Sequence, residues 1–242
     1  MAEGADIVWK GDTPVSSRFN DVYFSAASGI AETRHVYLEG NNLPARFKDT
    51  EDFTIGELGF GTGLNFLAVW QLWAESHTNE QGKSKAGGLE FISCEKYPLK
   101  ISDMQKTLAQ IPEIETYAEL FIRKWKNHIA DKENMAGWQV VDFGSVKLRL
   151  FIGDVMDMFK DTDFKADAWF LDGFSPAKNP AMWQSPVLKA VARQSARGAT
   201  LATFTAAGHV RRGLEAAGFD VKKAKGFGHK RDMTVARLCA KL

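Results

Sequence analysis

The sequence has few of the residues that form disulfides or bind metal ions. Among 242 residues there are two cysteines, Cys94 and Cys239, and five histidines. Two cysteines are too few for a disulfide framework, and neither they nor the histidines have the spacing of a metal site. We therefore expect no metal centre and no dependence on disulfides for folding.

Long apolar runs and secretion signals are also missing. The longest apolar stretches, such as residues 66–70 and 166–171, fall far short of the roughly 18 residues that a membrane span requires. The N-terminus carries Glu3 and Asp6 and has no basic and apolar leader. The chain is long enough and apolar enough, at 45% hydrophobic residues, to bury the core of one domain. We expect a cytoplasmic protein that does not enter a membrane.

The net charge of +1 conceals an uneven distribution. Residues 193–242 hold eleven Lys and Arg against three acidic residues, a charge of +8, which leaves −7 on the first 192 residues. An acidic body with a basic C-terminal face can meet a polyanion such as nucleic acid. A solvated basic surface explains the same numbers, so charge alone leaves both interpretations open.

Short β-branched or aromatic runs alternate with segments of helical periodicity. This alternation predicts an α/β fold with a mostly parallel sheet. The last two strands have no helix between them, which predicts an antiparallel hairpin at one edge of the sheet. Residues 76–88 are predicted to form a loop. The predicted strands are residues 53–58, 89–94, 138–142, 146–152, 166–171, 199–204, 219–225 and 233–239; the predicted helices are 64–75, 99–108, 115–127, 180–195 and 207–217.

The clearest motif is a glycine-rich turn between the first of these strands and the first helix. Gly59, Gly61 and Gly63 are spaced G-x-G-x-G, with Glu57 two residues ahead. Glycines at this edge of a parallel sheet let the backbone turn tightly and approach a ligand. A dinucleotide-binding turn has the spacing G-x-G-x-x-G. The turn instead resembles that of class I S-adenosylmethionine-dependent methyltransferases.

Three further acidic residues follow predicted strands, at the same edge of the sheet. Glu95 could accept hydrogen bonds from both ribose hydroxyls of the cofactor, and Asp154 from the adenine amino group. Asp172 would lie over the transferable methyl group, beside Phe174, which could stack on a flat substrate or on the cofactor. The alternative for each carboxylate is a surface or loop-capping role.

Other conspicuous residues have structural interpretations. Trp70 and Trp73 have helical spacing and are expected in the core, and Cys94 is expected to be a small buried side chain. The loop 226–231 combines two glycines with His229, Lys230 and Arg231. It could contact phosphate or could be an ordinary hairpin turn.

Several stretches together resemble the methyltransferase domains of the MnmC family, over nearly the whole chain. They are residues 13–16, 21–25, 32–34, 38–41, 59–66, 167–180, 182–183, 200–204, 211–214 and 230–231. The resemblance implies a class I S-adenosylmethionine-dependent methyltransferase fold, Rossmann-like, with a mostly parallel seven-stranded sheet. It also implies an N-terminal extension, residues 1–50, that packs on a methyltransferase domain, residues 51–242. The flavin oxidoreductase domain of bifunctional members is absent from these residues.

The resemblance further implies methylation of the amine of 5-aminomethyl-2-thiouridine at the tRNA wobble position, giving 5-methylaminomethyl-2-thiouridine. A flavin-dependent oxidoreductase domain or protein would supply the substrate. Asp172 is the expected catalytic residue, and residues 21–25 are a candidate lid. The expected cofactor-binding residues are Glu57, Gly59, Gly61, Gly63, Asn65, Glu95, Lys96, Asp154, Val155, Asp172 and Phe174; the expected substrate and tRNA-binding residues are Tyr23, Phe174, Arg211, Arg212, Lys230 and Arg231. Methylation of a small-molecule or protein amine, and a non-catalytic RNA-binding role, are the alternatives.

Overall fold

A computed structural model describes residues 3–23, 29–78, 87–130, 132 and 134–239. The N-terminal part forms a small antiparallel sheet followed by short helices. Its strands are β1 (Ile7–Lys10), β2 (Thr13–Ser16) and β3 (Asp21–Val22), and its α-helices are α1 (Gly29–Thr33) and α2 (Leu43–Arg46), joined by a π-helical segment, Arg34–Glu39. None of these elements is predicted from hydrophobic periodicity, because each is too short to show a periodic pattern.

Strands and helices alternate through the rest of the chain. In order they are β4 (Asp52–Leu58), α3 (Leu64–Ser76), β5 (Gly88–Glu95), α4 (Ile101–Leu108), α5 (Glu115–Ile129), β6 (Gly137–Asp142), β7 (Val146–Ile152), α6 (Val155–Asp161), β8 (Ala166–Leu171), α7 (Ser185–Arg193), β9 (Ser195–Thr203), α8 (Gly208–Ala216), β10 (Phe219–Lys225) and β11 (Asp232–Leu238). The strand order in the sheet is β10-β11-β9-β8-β4-β5-β7-β6. The predicted α/β class and the edge hairpin are confirmed.

The sheet has eight strands, as the residue pattern predicts, and the number of seven that the resemblance implied is wrong by one. Five neighbouring strands, β9, β8, β4, β5 and β7, run parallel. The additional strand is β6, which pairs antiparallel with β7 along its outer edge. A tight turn at residues 143–145 connects the two, with Gly144 at a φ of +93°, and so short a connection forces antiparallel pairing.

The predicted helix 180–195 is also wrong, because it is interrupted. A 3-10 turn covers Pro180–Trp183, Gln184 is extended with a ψ of 154°, and α7 then begins with Pro186 in its first turn. Proline lacks an N–H and fits only at such a position. The chain enters β9 at Ser195, earlier than predicted. The periodicity did not reveal α6, which is seven residues long. Of the loop predicted at 76–88, residues 79–86 lie outside the described residues.

Apolar side chains cover both faces of the sheet. On one face Ile55, Phe91 and Phe170 pack with the helices α3 and α5, and on the other Trp169 and Leu201 pack with α7 and α8. Trp70 and Trp73 are 6% and 1% exposed, and Cys94 is 4% exposed, which confirms their predicted places in the core. Burial on both faces explains the nearly continuous apolar runs of the central strands.

Arg46 attaches the N-terminal elements to the edge of the sheet opposite the glycine-rich turn. Its guanidinium donates to Thr200 Oγ1 at 2.7 Å and to the Asp167 carbonyl at 3.1 Å, and it lies 4.7 Å from the centre of the Phe53 ring. A half-buried guanidinium with several acceptors and an aromatic face is a stable contact. Among the described residues, no helix is both long enough and apolar enough to cross a membrane.

Candidate active site

A cavity of about 1050 Å³ opens at the carboxyl ends of the parallel strands. Residues that follow β4, β5, β7 and β8 form one wall, as expected for ligand sites of open α/β sheets. Eleven of the residues predicted from sequence line it: Tyr23, Gly59, Gly61, Asn65, Glu95, Lys96, Asp154, Val155, Asp172, Phe174 and Lys230. Glu57, Gly63, Arg211, Arg212 and Arg231 lie outside its lining.

The glycine-rich turn is fixed against both neighbouring strand ends. The N–H groups of Gly59 and Phe60 both donate to the Cys94 carbonyl at 3.1 Å. Gly59, Gly61 and Gly63 have φ values of +96°, +52° and +82°, which side chains other than glycine rarely adopt. A Cβ on Gly59 would lie 2.2 Å from the Asp172 carbonyl oxygen. The turn therefore requires glycine at this position for two independent reasons.

Glu95 is held by backbone donors on both of its oxygens. Oε2 accepts from Gly61 N–H and Oε1 from Tyr97 N–H, each at 2.9 Å. Burial raises the pKa of Glu95, and these hydrogen bonds oppose the rise. Each carboxylate oxygen can accept a second hydrogen bond, so Glu95 remains able to receive two hydroxyl groups in a fixed orientation.

Asp154 follows β7, and its carboxylate binds both the N-terminus of α6 and the side chain of Lys96. Oδ1 accepts from Met156 N–H at 2.9 Å, which caps α6, and Oδ2 lies 3.0 Å from Lys96 Nζ. Partial burial works against ionisation, but Met156 N–H and Lys96 hold the pKa of Asp154 below its ordinary value. The predicted neighbours Lys96 and Val155 thus lie beside Asp154 in the wall.

A hydrogen-bonded chain joins two carboxyl groups at the other end of the cavity. Asn65 Nδ2 donates to Asp172 Oδ2 at 2.6 Å and to Glu57 Oε1 at 3.0 Å. Ser93 Oγ donates to Glu57 Oε2 at 2.6 Å, and Thr33 Oγ1 donates to Asn65 Oδ1 at 2.8 Å. Because every polar atom of the Asn65 amide is used in this way, Asn65 fixes the orientation of Asp172.

The two carboxyl groups differ in exposure and ionisation. Glu57 is 0% exposed and lies outside the cavity lining, and its predicted contact with the cofactor stays a prediction. Burial raises the pKa of Glu57 to about 8, and burial raises that of Asp172, which lines the cavity, to about 6. At pH 7 Asp172 is therefore mainly a carboxylate and Glu57 mainly protonated.

Aromatic rings surround Phe174 at the mouth of the cavity. Phe19 stacks on Phe174 with ring centres 4.7 Å apart, and Tyr23 meets it edge-on at 5.2 Å. The Trp183 indole N–H donates to the Phe174 carbonyl at 3.0 Å. Phe19 therefore covers one face of Phe174.

Part of the predicted lid, residues 24–25, lies outside the described residues. Asp21, at its start, accepts from Ser175 N–H at 3.2 Å and pairs with Lys178 at 3.1 Å. These contacts join the N-terminal sheet to the segment that follows Asp172.

The N-terminal helices contribute cavity residues that the sequence motifs did not identify. Glu32, Thr33 and Tyr37, from α1 and the π-helical segment, line the cavity. Lys230, from the β10–β11 loop, reaches Glu32 with its Nζ 2.6 Å from Oε1. The resemblance included residues 32–34, but no local pattern indicated that they face the site.

The remaining basic residues predicted to bind RNA lie beside the cavity. Arg212 and Arg231 are exposed, whereas Arg211 is half-buried with its Nε donating to the Ala206 carbonyl at 3.4 Å. We name Arg211, Arg212 and Arg231 the basic cluster. Arg231 adjoins residues 227–230 of the β10–β11 loop, which line the cavity, so a polyanion bound there would lie next to the opening.

The cavity wall fits a ligand with an amino acid, a ribose and an adenine. Gly61 and Glu95 both line the cavity, the first with a backbone that carries no side chain and the second with a fixed acceptor. Glu95 ends β5 and Asp154 follows β7, the positions at which the sequence analysis expects acceptors for the ribose and for the adenine. These groups therefore suit S-adenosylmethionine.

Known proteins similar to this chain point the same way. Residues 112–239 match a family of S-adenosyl-L-methionine-dependent methyltransferases. The tRNA 5-methylaminomethyl-2-thiouridine biosynthesis bifunctional protein MnmC of Stutzerimonas stutzeri is 48% identical over 235 residues, covering 95% of this chain and 34% of that protein. The protein of the same name from Marinobacter nauticus is 43% identical over 239 residues, covering 98% of this chain and 37% of its own length. This chain thus spans about a third of the length of these curated relatives.

Among solved structures, MNMC2 from Aquifex aeolicus has the same fold. It superposes with a TM-score of 0.75 at 22% identity, over 99% of this chain and 72% of that one.

Proposed function

Because this chain belongs to the S-adenosyl-L-methionine-dependent methyltransferase family, we propose that it methylates the primary amine of 5-aminomethyl-2-thiouridine at the wobble position of tRNA. The two MnmC relatives are named for biosynthesis of 5-methylaminomethyl-2-thiouridine. The N-methyl group of that product is what a methyltransferase would add. Removing it leaves a primary amine, which identifies the acceptor.

The observation that carries this proposal is the environment of Asp172. An aliphatic ammonium ion has a pKa of roughly 10, so most of the acceptor is protonated at pH 7 and cannot attack. Asp172 is an ionised, oriented carboxylate in the cavity wall, and burial brings its pKa to about 6. Such a group can hydrogen-bond the amine, orient its lone pair and accept its proton.

The other residues position the reactants. When bound, S-adenosylmethionine supplies an electrophilic methyl group on a sulfonium centre. Gly59, Gly61 and Glu95 would hold it along the strand ends, with Asp154 at the far end and Phe174 beside Asp172. Fixing both reactants in this way supplies much of the acceleration of a displacement reaction. Glu57 and Asn65 act by orienting Asp172, not by contacting the substrate.

The basic cluster supports a polyanionic substrate. A wobble base must leave its stack to enter a cavity, and phosphate contacts from Arg211, Arg212 and Arg231 would hold the flanking backbone. The relatives are named bifunctional proteins, so a flavin-dependent oxidoreductase activity, in the same protein or a partner, would supply the amine. Modification of tRNA supports a cytoplasmic location.

The decisive experiment is mass spectrometry of wobble nucleosides. The protein is incubated with S-adenosylmethionine and tRNA bearing 5-aminomethyl-2-thiouridine, with tRNA bearing unmodified uridine as the control. Gain of one methyl group on the amine-bearing nucleoside alone is the expected result. No methylation of this tRNA, together with methylation of a free amine, would replace the proposal with a small-molecule or protein acceptor. Binding of tRNA without any methylation would favour a non-catalytic role.

A further inference from the structure

An ammonium group of the chain itself occupies one end of the cavity. Lys230 Nζ lies 2.6 Å from Glu32 Oε1 and 4.5 Å from the centre of the Phe204 ring. All three residues line the cavity. A carboxylate combined with the face of an aromatic ring is a typical environment for a bound primary ammonium group. The structure thus shows that this position can hold such a group.

This position adjoins Asp172. Glu32 and Lys230 are both close enough to act electrostatically on the Asp172 carboxylate, in opposite directions. Tyr37 is 3% exposed and lines the cavity beside Asp172, with its hydroxyl directed to the Asp172 carboxylate.

The loop that carries Lys230 is fixed, but the side chain is not. Gly226 N–H donates to the Arg231 carbonyl at 3.1 Å, and Lys230 N–H donates to the Phe227 carbonyl at 3.0 Å. A Cβ on Gly226 would lie 2.2 Å from the Lys230 carbonyl oxygen, so the backbone is closely packed. The Lys230 side chain is 48% exposed and can turn to solvent without moving the loop. An ion pair this exposed is weak and exchanges readily.

We propose that Glu32 and the Phe204 ring form the binding site for the primary ammonium group of the acceptor, and that Lys230 is an internal ammonium that the substrate displaces. This inference rests on the proposed function, in which the acceptor ends in CH2–NH3+, as a lysine side chain does. Before substrate binds, Lys230 pairs with the Glu32 carboxylate, whose side chain is 20% exposed.

The role proposed here for Lys230 differs from the phosphate contact predicted from the sequence, and the two predict opposite effects. A phosphate contact would weaken binding of any tRNA when Lys230 is replaced. A displaceable internal ligand would strengthen binding of the amine-bearing substrate alone, because the competitor is removed.

The test compares two anticodon stem-loops that differ in one group at the wobble base. One carries 5-aminomethyl-2-thiouridine and the other 5-hydroxymethyl-2-thiouridine, and binding to the full chain is measured by fluorescence anisotropy. Lys230→Met is expected to tighten binding of the amine severalfold and to leave the hydroxymethyl ligand unchanged. Glu32→Gln is expected to weaken binding of the amine about tenfold, removing the preference, while Glu32→Asp, which keeps the charge, retains part of it. These factors follow from the usual size of a charge-assisted hydrogen bond.

Lys222→Met is the matched control, because Lys222 lies on β10 of the same hairpin, outside the cavity lining. It makes the same change in charge and should leave the amine preference intact. Equal weakening of both stem-loops by Lys230→Met would overturn the inference and restore the phosphate contact. A Glu32→Gln variant that melts like the wild type and still prefers the amine would overturn it as well. Wild-type protein that prefers the amine but never methylates it would refute the proposed reaction and leave the ammonium site supported.

Discussion

The two ends of the cavity are built differently. The end formed by Gly59, Gly61, Glu95 and Asp154 comes from consecutive strand ends, and its polar groups are tied to backbone N–H groups. The end around Asp172 is built by segments that are distant in sequence, and Glu32 and Lys230 are 198 residues apart. At the first end backbone N–H groups hold the Glu95 and Asp154 carboxylates in fixed orientations. The second depends on ionisable side chains, so pH and mutation should affect it differently.

The largest effect is expected for the turnover of a variant that separates catalysis from cofactor binding. Asp172→Asn keeps the size of the side chain but removes the proton acceptor, so turnover at saturating substrate and cofactor should fall by about 10²- to 10⁴-fold. Affinity for S-adenosylmethionine, measured by calorimetry, should change little. In the wild type, turnover should rise with pH through about 6, where Asp172 ionises, and the variant should lack this step. Unchanged turnover would reduce Asp172 to a binding residue.

Two glycine substitutions test the end of the cavity that contains the glycine-rich turn. Gly59→Ala places a Cβ 2.2 Å from the Asp172 carbonyl oxygen at a φ of +96°, whereas the nearest atom to a Cβ on Gly61 is Tyr23 Cδ1, at 3.5 Å. We expect Gly61→Ala to cost about 1 kcal/mol of stability from backbone strain alone, and Gly59→Ala roughly 2 to 4 kcal/mol.

Thermal melts and cofactor titrations measure both glycine variants side by side. Affinity for S-adenosylmethionine should fall more in Gly59→Ala than in Gly61→Ala. Equal effects would mean that the contact with the Asp172 carbonyl relaxes without cost.

Glu57→Gln tests the buried carboxyl group through the pH dependence of stability. The folded state raises the pKa of Glu57 from 4.5 to about 8, so the folded protein holds a proton that the unfolded chain has lost. The unfolding free energy should therefore decrease as pH rises from 6 to 8, a window above the pKa of Asp172, with a slope of up to about 1.4 kcal/mol per pH unit. Urea unfolding of the glutamine variant should show a flatter dependence. An identical slope in both proteins would place the pKa of Glu57 near its ordinary value.

The smallest expected effect lies outside the cavity. Reversing the charge of Arg211 and Arg212 together should weaken tRNA binding about tenfold at low salt and reduce the dependence of affinity on salt, because about two phosphate contacts are lost. Cofactor affinity should stay constant. The control is Arg193→Glu with Arg197→Glu, two exposed arginines near the start of β9, away from the cavity. Equal losses of tRNA affinity in both double variants would indicate that tRNA responds to the overall positive charge and not to a specific binding surface.

The sequence placed Gly59, Gly61, Glu95 and Asp154 at one edge of the sheet, where they line one cavity, for a physical reason. The Gly59–Gly63 spacing and the acids after β5 and β7 are local patterns, and parallel strands bring their carboxyl ends to one edge. The prediction for Glu57 placed it with the cofactor. The sheet is covered on both faces, so a polar residue at the end of β4 can point into the interior as easily as into the cavity. Ser93 and Asn65, its partners there, come from other elements and give no local signal.

The acceptor end could not be predicted from local patterns. Glu32 and Tyr37 lie on short helical segments whose positions depend on packing against the finished sheet. The break before α7 was missed for a related reason, because a single proline changed the course of the chain without changing its periodicity.

The attachment of Arg46 has a consequence for the order of folding. Its acceptors at Asp167 and Thr200 are 121 and 154 residues further along the chain, so this contact must close very long loops. During synthesis residues 1–50 emerge before β8 and β9 and can already contact α3 and α4, but Arg46 finds its acceptors only once β8 and β9 have been made. The contact that ties the N-terminal elements to these two strands is therefore one of the last to form in each newly made molecule.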